Sequence, residues 1–143
     1  RYAIRAALDS LAASGAARAV LAGDRTIVAG ARQLVASGRA AVAAMDVRDL
    51  VATDIGFHRF IYEASGNPLI APTAEIHWRF LRRVMSDVVR DAQPPVEIWD
   101  QHESIVEAIA RGDAEAAGRL AEAHVERAAE RLTAARQRME AEA

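Results

Sequence analysis

Asp54 and His58 stand four residues apart in the stretch TDIGFHRFIYEASGN, Thr53 to Asn67. Four residues is about 400° of helix, so the two side chains stack one turn apart on a single face. The rest of that face is greasy, with Val47, Leu50, Val51, Phe57 and Ile61. Two later stretches repeat the conflict. His102 falls in the stripe Ile98, Trp99, Ile105, Val106, Ile109, and His124 aligns with Ala117, Leu120 and Ala128. One carboxylate and three imidazoles are therefore expected to point into one core from three helices. Buried without partners they would cost several kcal/mol. A divalent transition metal satisfies them together. Neutral imidazole and carboxylate form a borderline donor set, with zinc the leading candidate and nickel, manganese, cobalt and iron also suited. Facing helices commonly build such sites in bundle cores. Four protein ligands leave water positions open on a five- or six-coordinate ion. One inward histidine alone is ordinarily a satisfied core residue, and Asp54 with His58 alone could be an i,i+4 hydrogen-bonded pair. The case for a metal rests on all four falling on inward stripes. His77 serves as a control: it sits at the edge of its helix without a matching inward partner and reads as structural or surface.

The elements that must position these residues read as helices throughout. Ile4, Ala7, Leu8, Leu11, Val20 and Leu21 recur at helical spacing and predict a first helix to about Ala22, weakened in its middle by Ser14 and Gly15. Asp24 is the expected N-cap of a second helix whose stripe, Ile27, Ala31, Leu34, Val35, ends at Gly38. Asp46 caps a third, with Asp49 in its first turn where negative charge suits the helix dipole, and this helix runs to about Ala64. SGNP is a turn, with Gly66 at the C-cap and Pro68 in the first turn of helix four; Pro72 predicts a late start or a bend. Leu69, Thr73, Ile76, Phe80, Leu81, Val84 and Val88 form the apolar face of helix four, with Arg79, Arg82, Arg83 and Arg90 mostly opposite. DAQPPVE breaks the chain, helix five spans about Val96 to Arg111, and Asp113 caps a long last helix. No strand pattern competes. The expected fold is all-α, an antiparallel bundle of six to seven helices in a single domain over 1–143.

The composition agrees with that fold and narrows the function. A chain of 143 residues is long enough for one real core. A formal net charge of -2 gives no broad field to hold a phosphate backbone, so this chain is not expected to read DNA itself. With no cysteine, disulfides and thiolate metal sites are excluded. No apolar run approaches the roughly 20 residues that span a bilayer, so a cytoplasmic protein with no membrane contact is expected. The chain opens at Arg1 within a helical pattern, which points to a segment upstream.

DIGFHRFIYEASGNPLI followed by QHESIVEAIARGDAEAAGRLAEAHV resembles the C-terminal effector-binding (FCD) domain of the FadR subgroup of GntR-type bacterial transcription regulators. The family pattern is an Asp three residues before a Phe-His pair, a Ser-Gly-Asn turn, a His leading into an Ala-Ile and Gly-Asp turn, and a last His. Here those elements are Asp54, Phe57 with His58, Ser65 to Asn67, His102, Ala108 with Ile109, Gly112 with Asp113, and His124. RYAIRAALDSLAA is similar to the family's first effector-domain helix. The resemblance implies a bundle of six or seven helices, a metal on Asp54, His58, His102 and His124, and a small organic acid bound beside it. It also implies a homodimer and a winged helix-turn-helix DNA reader ahead of Arg1. Ser14, Gly15 and Pro72 depart from the usual pattern.

An open metal position prefers an oxygen anion, and a nearby guanidinium would hold a second carboxylate oxygen. A small carboxylate or sugar acid fits both. Arg5, Asn67, Trp78 and Arg82 are the candidate effector contacts, although Asn67 could simply cap helix four and either arginine could be a solvated surface residue. Two rival readings remain. A metal-dependent hydrolase would need a general base near the metal water, and Glu63 and Glu103 fall off the inner stripes. A metal-free helical interaction module would have to bury four unpaired polar groups.

Overall fold

The computed structural model describes residues 2–91 and 96–143, with the backbone alone over 84–91. Among the described residues six helices follow one another: α1 (Tyr2–Leu21), α2 (Thr26–Ala44), α3 (Val47–Ala64), α4 (Ile70–Asp91), α5 (Val96–Ala110) and α6 (Ala114–Glu142). Among the described residues no strand occurs, and the fold is the expected all-α bundle. The chain break expected in DAQPPVE falls mostly outside the described residues, as do the side chains of Val84, Val88 and Arg90.

Helix α1 is the hub. It packs most extensively on α6 and also meets α3, α5, α4 and α2. The middle of its buried face is alanine, with Ala12, Ala13, Ala16 and Ala17 fully enclosed and Ala117 and Ala121 answering from α6. Small side chains let the two backbones approach closely. The sharpest contact explains two residues expected to weaken α1. Ser14 Oγ donates to the Ala114 carbonyl at 2.9 Å, and a Cβ on Gly118 would lie 2.4 Å from that same Oγ. A Cβ on Gly15 would lie 3.0 Å from the Ser65 carbonyl oxygen. Ser14 and Gly15 thus give up helix propensity for close contacts with α6 and with the end of α3. The alanine faces of α1 and α6 pack on each other inside the chain.

Several boundaries differ from expectation. Helix α2 does not stop at Gly38 but continues to Ala44, where Met45 takes the left-handed cap conformation at φ 54°. Gly38 is a packing glycine: a Cβ there would lie 2.1 Å from the Trp99 ring. Asp24 does not occupy the N-cap position, which is Arg25. Its carboxylate nevertheless accepts from the Thr26 backbone N–H at 3.2 Å and hydroxyl at 2.6 Å. Pro68 precedes α4 rather than opening it, and the late start at Ile70 places Pro72 in the first turn, where a missing N–H leaves no bond unmade. Asp46 and Asp113 cap as predicted, whereas the C-cap of α3 is Ser65, with the left-handed Gly66 one residue beyond it. Asp46 accepts from Asp49 N, Gly66 has φ +76°, and Asp113 accepts from Ala116 N.

Candidate metal centre

Helix α3 buries the face Leu50, Val51, Asp54, Phe57, His58, Ile61 against α1 and its neighbours. Helix α5 buries Trp99, His102, Ile105, Val106 and Ile109, and α6 buries His124 and Val125. All four predicted ligands are enclosed, His102 completely and Asp54 with 8% of its surface exposed. Among the described residues these four form a group in which one ligand atom from each lies within 4.8 Å of all the others. Asp54 Oδ1 is 3.5 Å from His58 Nε2 and 3.3 Å from His102 Nε2. The Nε2 atoms of His102 and His124 are 3.1 Å apart. With metal–nitrogen bonds of about 2.0–2.1 Å, adjacent corners of a tetrahedron or octahedron are separated by about 3.0–3.4 Å. These three separations are close to those of neighbouring ligands on one ion.

Two of the converging atoms, Asp54 Oδ1 and His58 Nε2, have no hydrogen-bond partner although both are buried. Orphaned atoms in a core demand an explanation, and an ion would supply it. The far nitrogens are tied down. His58 Nδ1 is 2.8 Å from Asp9 Oδ2, and His124 Nδ1 is 2.7 Å from Gln101 Oε1. Both acceptors assign the proton to Nδ1, which turns each Nε2 lone pair toward the centre. Phe57 stacks on His102 at 4.0 Å, and Trp99 meets its edge at 4.5 Å. Gly38 thereby reaches the centre indirectly, because it makes the space Trp99 occupies.

Electrostatics favour the metal-competent forms of His102, His124 and Asp54. Burial, and after it the charge of His58, drives the His124 imidazole down to about 3. Burial likewise pushes His102 well below its ordinary value, against the pull of Asp54. Both rings are therefore neutral near pH 7. Burial also pulls His58 down, but the Asp9 and Asp54 carboxylates outweigh it and hold it above its ordinary value. Burial would raise Asp54, yet the surrounding imidazoles, His58 foremost, keep it below the carboxylate range and ionised.

Asp9 is the buried acid that sequence reasoning missed. It is 4% exposed and sits on α1. Tyr62 OH donates to it, and Trp78 Nε1–H donates in turn to the Tyr62 oxygen at 3.0 Å. The signal was present as an acidic residue one turn after Arg5 on an alanine-rich face, but nothing in the sequence alone set it apart from a solvated i,i+4 pair. Arg5 is 3% exposed, stacks over Trp78 at 4.2 Å, and lies 4.0 Å from Asp9 Oδ2. Arg5 and Trp78 are thus beside the centre. Asn67 lies on an exposed turn, where its Oδ1 accepts from Leu69 N at 3.0 Å. Arg82 lines an outer groove of about 630 Å³ between α3 and α4 with Arg48, Arg59, Val51 and Ile55, and none of the four ligand candidates lines that groove. The space against Asp9, His58 and Tyr62 is only about 10 Å³, room for roughly one water.

A family model described as FCD domain matches residues 1–127. No curated protein matches the chain.

Proposed function

The chain belongs to the FCD domain family, the C-terminal effector-binding domain of GntR-family regulators, and from that premise we propose that it is a metal-dependent sensor of a small carboxylate or sugar acid. Asp54, His58, His102 and His124 hold one divalent ion, zinc first among the candidates, and the effector's carboxylate oxygen takes an open position on it. The observation that carries this is the convergence of four buried ligand atoms, two of them without any hydrogen-bond partner. When bound, the ion supplies a Lewis-acidic point of attachment. The chain's residues provide the rest: Arg5, held over Trp78, offers a buried guanidinium for a second oxygen. Asn67 and Arg82, which lie farther out, would reach an effector only through movement of α4 or the turn before it.

The placement of the ligands supports a sensing role. The ligands come from α3, α5 and α6, and an effector touching the ion would bias all three. A coupling of about 1–3 kcal/mol between effector and DNA binding would be ordinary for such a device. DNA would be read by a winged helix-turn-helix domain outside this sequence, and the Asp-Phe-His and Ser-Gly-Asn elements favour the FadR subgroup. The two carboxylates first weighed for the hydrolase reading lie outside the centre: Glu63 is exposed, and Glu103 pairs with Arg39 at 2.6 Å. Among the described residues no helix is long and apolar enough to cross a membrane; a regulator that acts on bacterial DNA would work in the cytoplasm. A homodimer would use apolar side chains left exposed, namely Ile4 and Leu11 on α1 with Leu69 and Ile76 on or beside α4. Light scattering at micromolar concentration reads this directly, and a monomeric mass would count against it.

The central test is calorimetry of metal-loaded protein against hydroxy acids, dicarboxylates and sugar acids, repeated on chelated protein. An effector that binds the chelated protein equally well makes the ion a structural staple and ends the proposal.

A further inference from the structure

Metal coordination is only as well defined as the rings that provide it, and His58 is held at its far nitrogen by one group, the Asp9 carboxylate at 2.8 Å. Asp9 is unusual among the acids of this chain. It sits on α1, a helix that contributes none of the four ligand candidates. It is 4% exposed, and it is fixed from a second direction by the Tyr62 hydroxyl. That hydroxyl is fixed in turn by Trp78 Nε1–H at 3.0 Å. A carboxylate restrained by two donors cannot swing away from His58 without breaking both bonds in a space of about 10 Å³.

We propose that Asp9 is the positioning residue of the metal centre: by accepting a hydrogen bond from His58 Nδ1–H it fixes the ring with Nε2 toward Asp54 and raises the ring's strength as a metal ligand. The inference rests on the metal reading above. Its physical content is twofold. The hydrogen bond selects the tautomer whose Nε2 carries the lone pair, and the buried negative charge enriches the imidazole that must bind a cation. Carboxylates in this relation to a ligating histidine typically change metal affinity about 10–100-fold when removed. His124 has only a neutral amide oxygen in the same role, from Gln101, and His102 Nδ1 has no partner. The three rings are therefore not equivalent, and His58 is the one with a charged anchor. The anchor also ties the ion to α1, since Asp9 is one turn from Arg5 and buried on the face that packs into the bundle.

The test is Co²⁺ affinity, by competition with a chromophoric chelator, together with the Co²⁺ absorption spectrum, for wild type, Asp9→Asn and Tyr62→Phe. Asp9→Asn keeps the shape and an acceptor but removes the charge. Tyr62→Phe removes one restraint on Asp9 without touching His58, and covers the case in which the Asp9 variant does not fold. The expected result is Co²⁺ binding weakened about 10–100-fold in Asp9→Asn, less in Tyr62→Phe, with altered ligand-field bands. A merely structural role would lower the melting temperature of chelated protein while leaving affinity and spectrum unchanged. Wild-type affinity and spectrum in folded Asp9→Asn overturn the proposal, as do the same results in Tyr62→Phe if Asp9→Asn fails to fold. A wild-type chain that binds no Co²⁺ overturns both this inference and the metal reading, whereas loss confined to the variants leaves that reading standing.

Discussion

Helix α5 carries two rows of polar side chains that behave in opposite ways. On its buried face His102 sits among Phe57, Trp99 and Ile105, wholly enclosed. On its solvent face Asp100, Glu103 and Glu107 meet α2 through Arg39 and Arg32, at 2.9, 2.6 and 3.3 Å. The outer row has the better pairing geometry, and its members are between 36 and 59% exposed. Water already solvates those charges, so each pair contributes about 0–1 kcal/mol. The inner row has orphaned atoms and no water to replace a missing partner, so losing one member leaves a buried group uncompensated. Burial, and not the number of contacts, decides which row matters.

The largest expected effect lies in the inner row. Purified wild type, dialysed without chelator, should carry close to one metal per chain by elemental analysis, and the His102→Ala, His124→Ala double variant should carry almost none. Equal metal in both would refute the ligand assignment. Stability should follow occupancy: at free metal about 1,000 times the dissociation constant the gain is about 4 kcal/mol, seen as a rise in melting temperature that chelation abolishes and the double variant never shows.

A somewhat smaller effect is expected where the outer architecture supports the inner row. Gly38→Ala places a methyl 2.1 Å from the Trp99 ring. The indole must move from against His102, and urea unfolding should show a loss of about 1–3 kcal/mol. An unchanged midpoint would mean that Trp99 has room to shift and does not brace the centre.

Acid should separate the rows in chelated protein. His124 is held near 3 when folded and returns to about 6.5 when unfolded, so between those values the unfolded chain binds the extra proton. Its contribution to stability is complete above pH 6.5 and is lost as the pH falls toward 3. His102 acts in the same direction. His58, raised when folded, opposes them: its contribution is present below pH 6.5 and fades as the pH climbs through its folded value. The urea midpoint of chelated protein should therefore fall from pH 6.5 to pH 4, and His124→Asn should flatten that decline. A decline of the same slope in the variant would show that His124 does not drive it. The smallest effect belongs to the outer row. Arg39→Ala should cost under about 1 kcal/mol, less at high salt, with metal content unchanged; a larger loss would erase the distinction between the two rows.

The inward direction of Asp54, His58, His102 and His124 was legible in the sequence because helical period and apolar stripes fix which face a residue occupies, whatever that face later meets. The caps at Asp46 and Asp113 and the turn at Gly66 were legible for a similar reason: they are local backbone chemistry. Tertiary structure alone decided the rest. Gly38 reads as a helix stop until Trp99, about sixty residues away in sequence, is packed against it. Ser14 and Gly15 read as weaknesses until Ala114, Gly118 and Ser65 close on them. Asp9 is the clearest case. In sequence Arg5 and Asp9 are an ordinary i,i+4 pair on a first helix, and only the packing of α1 against α3 and α4 brings His58, Tyr62 and Trp78 to that carboxylate. Periodicity specifies the face of a helix, but the identity of a buried polar group's partner depends on contacts far apart in the chain, which only the folded arrangement creates.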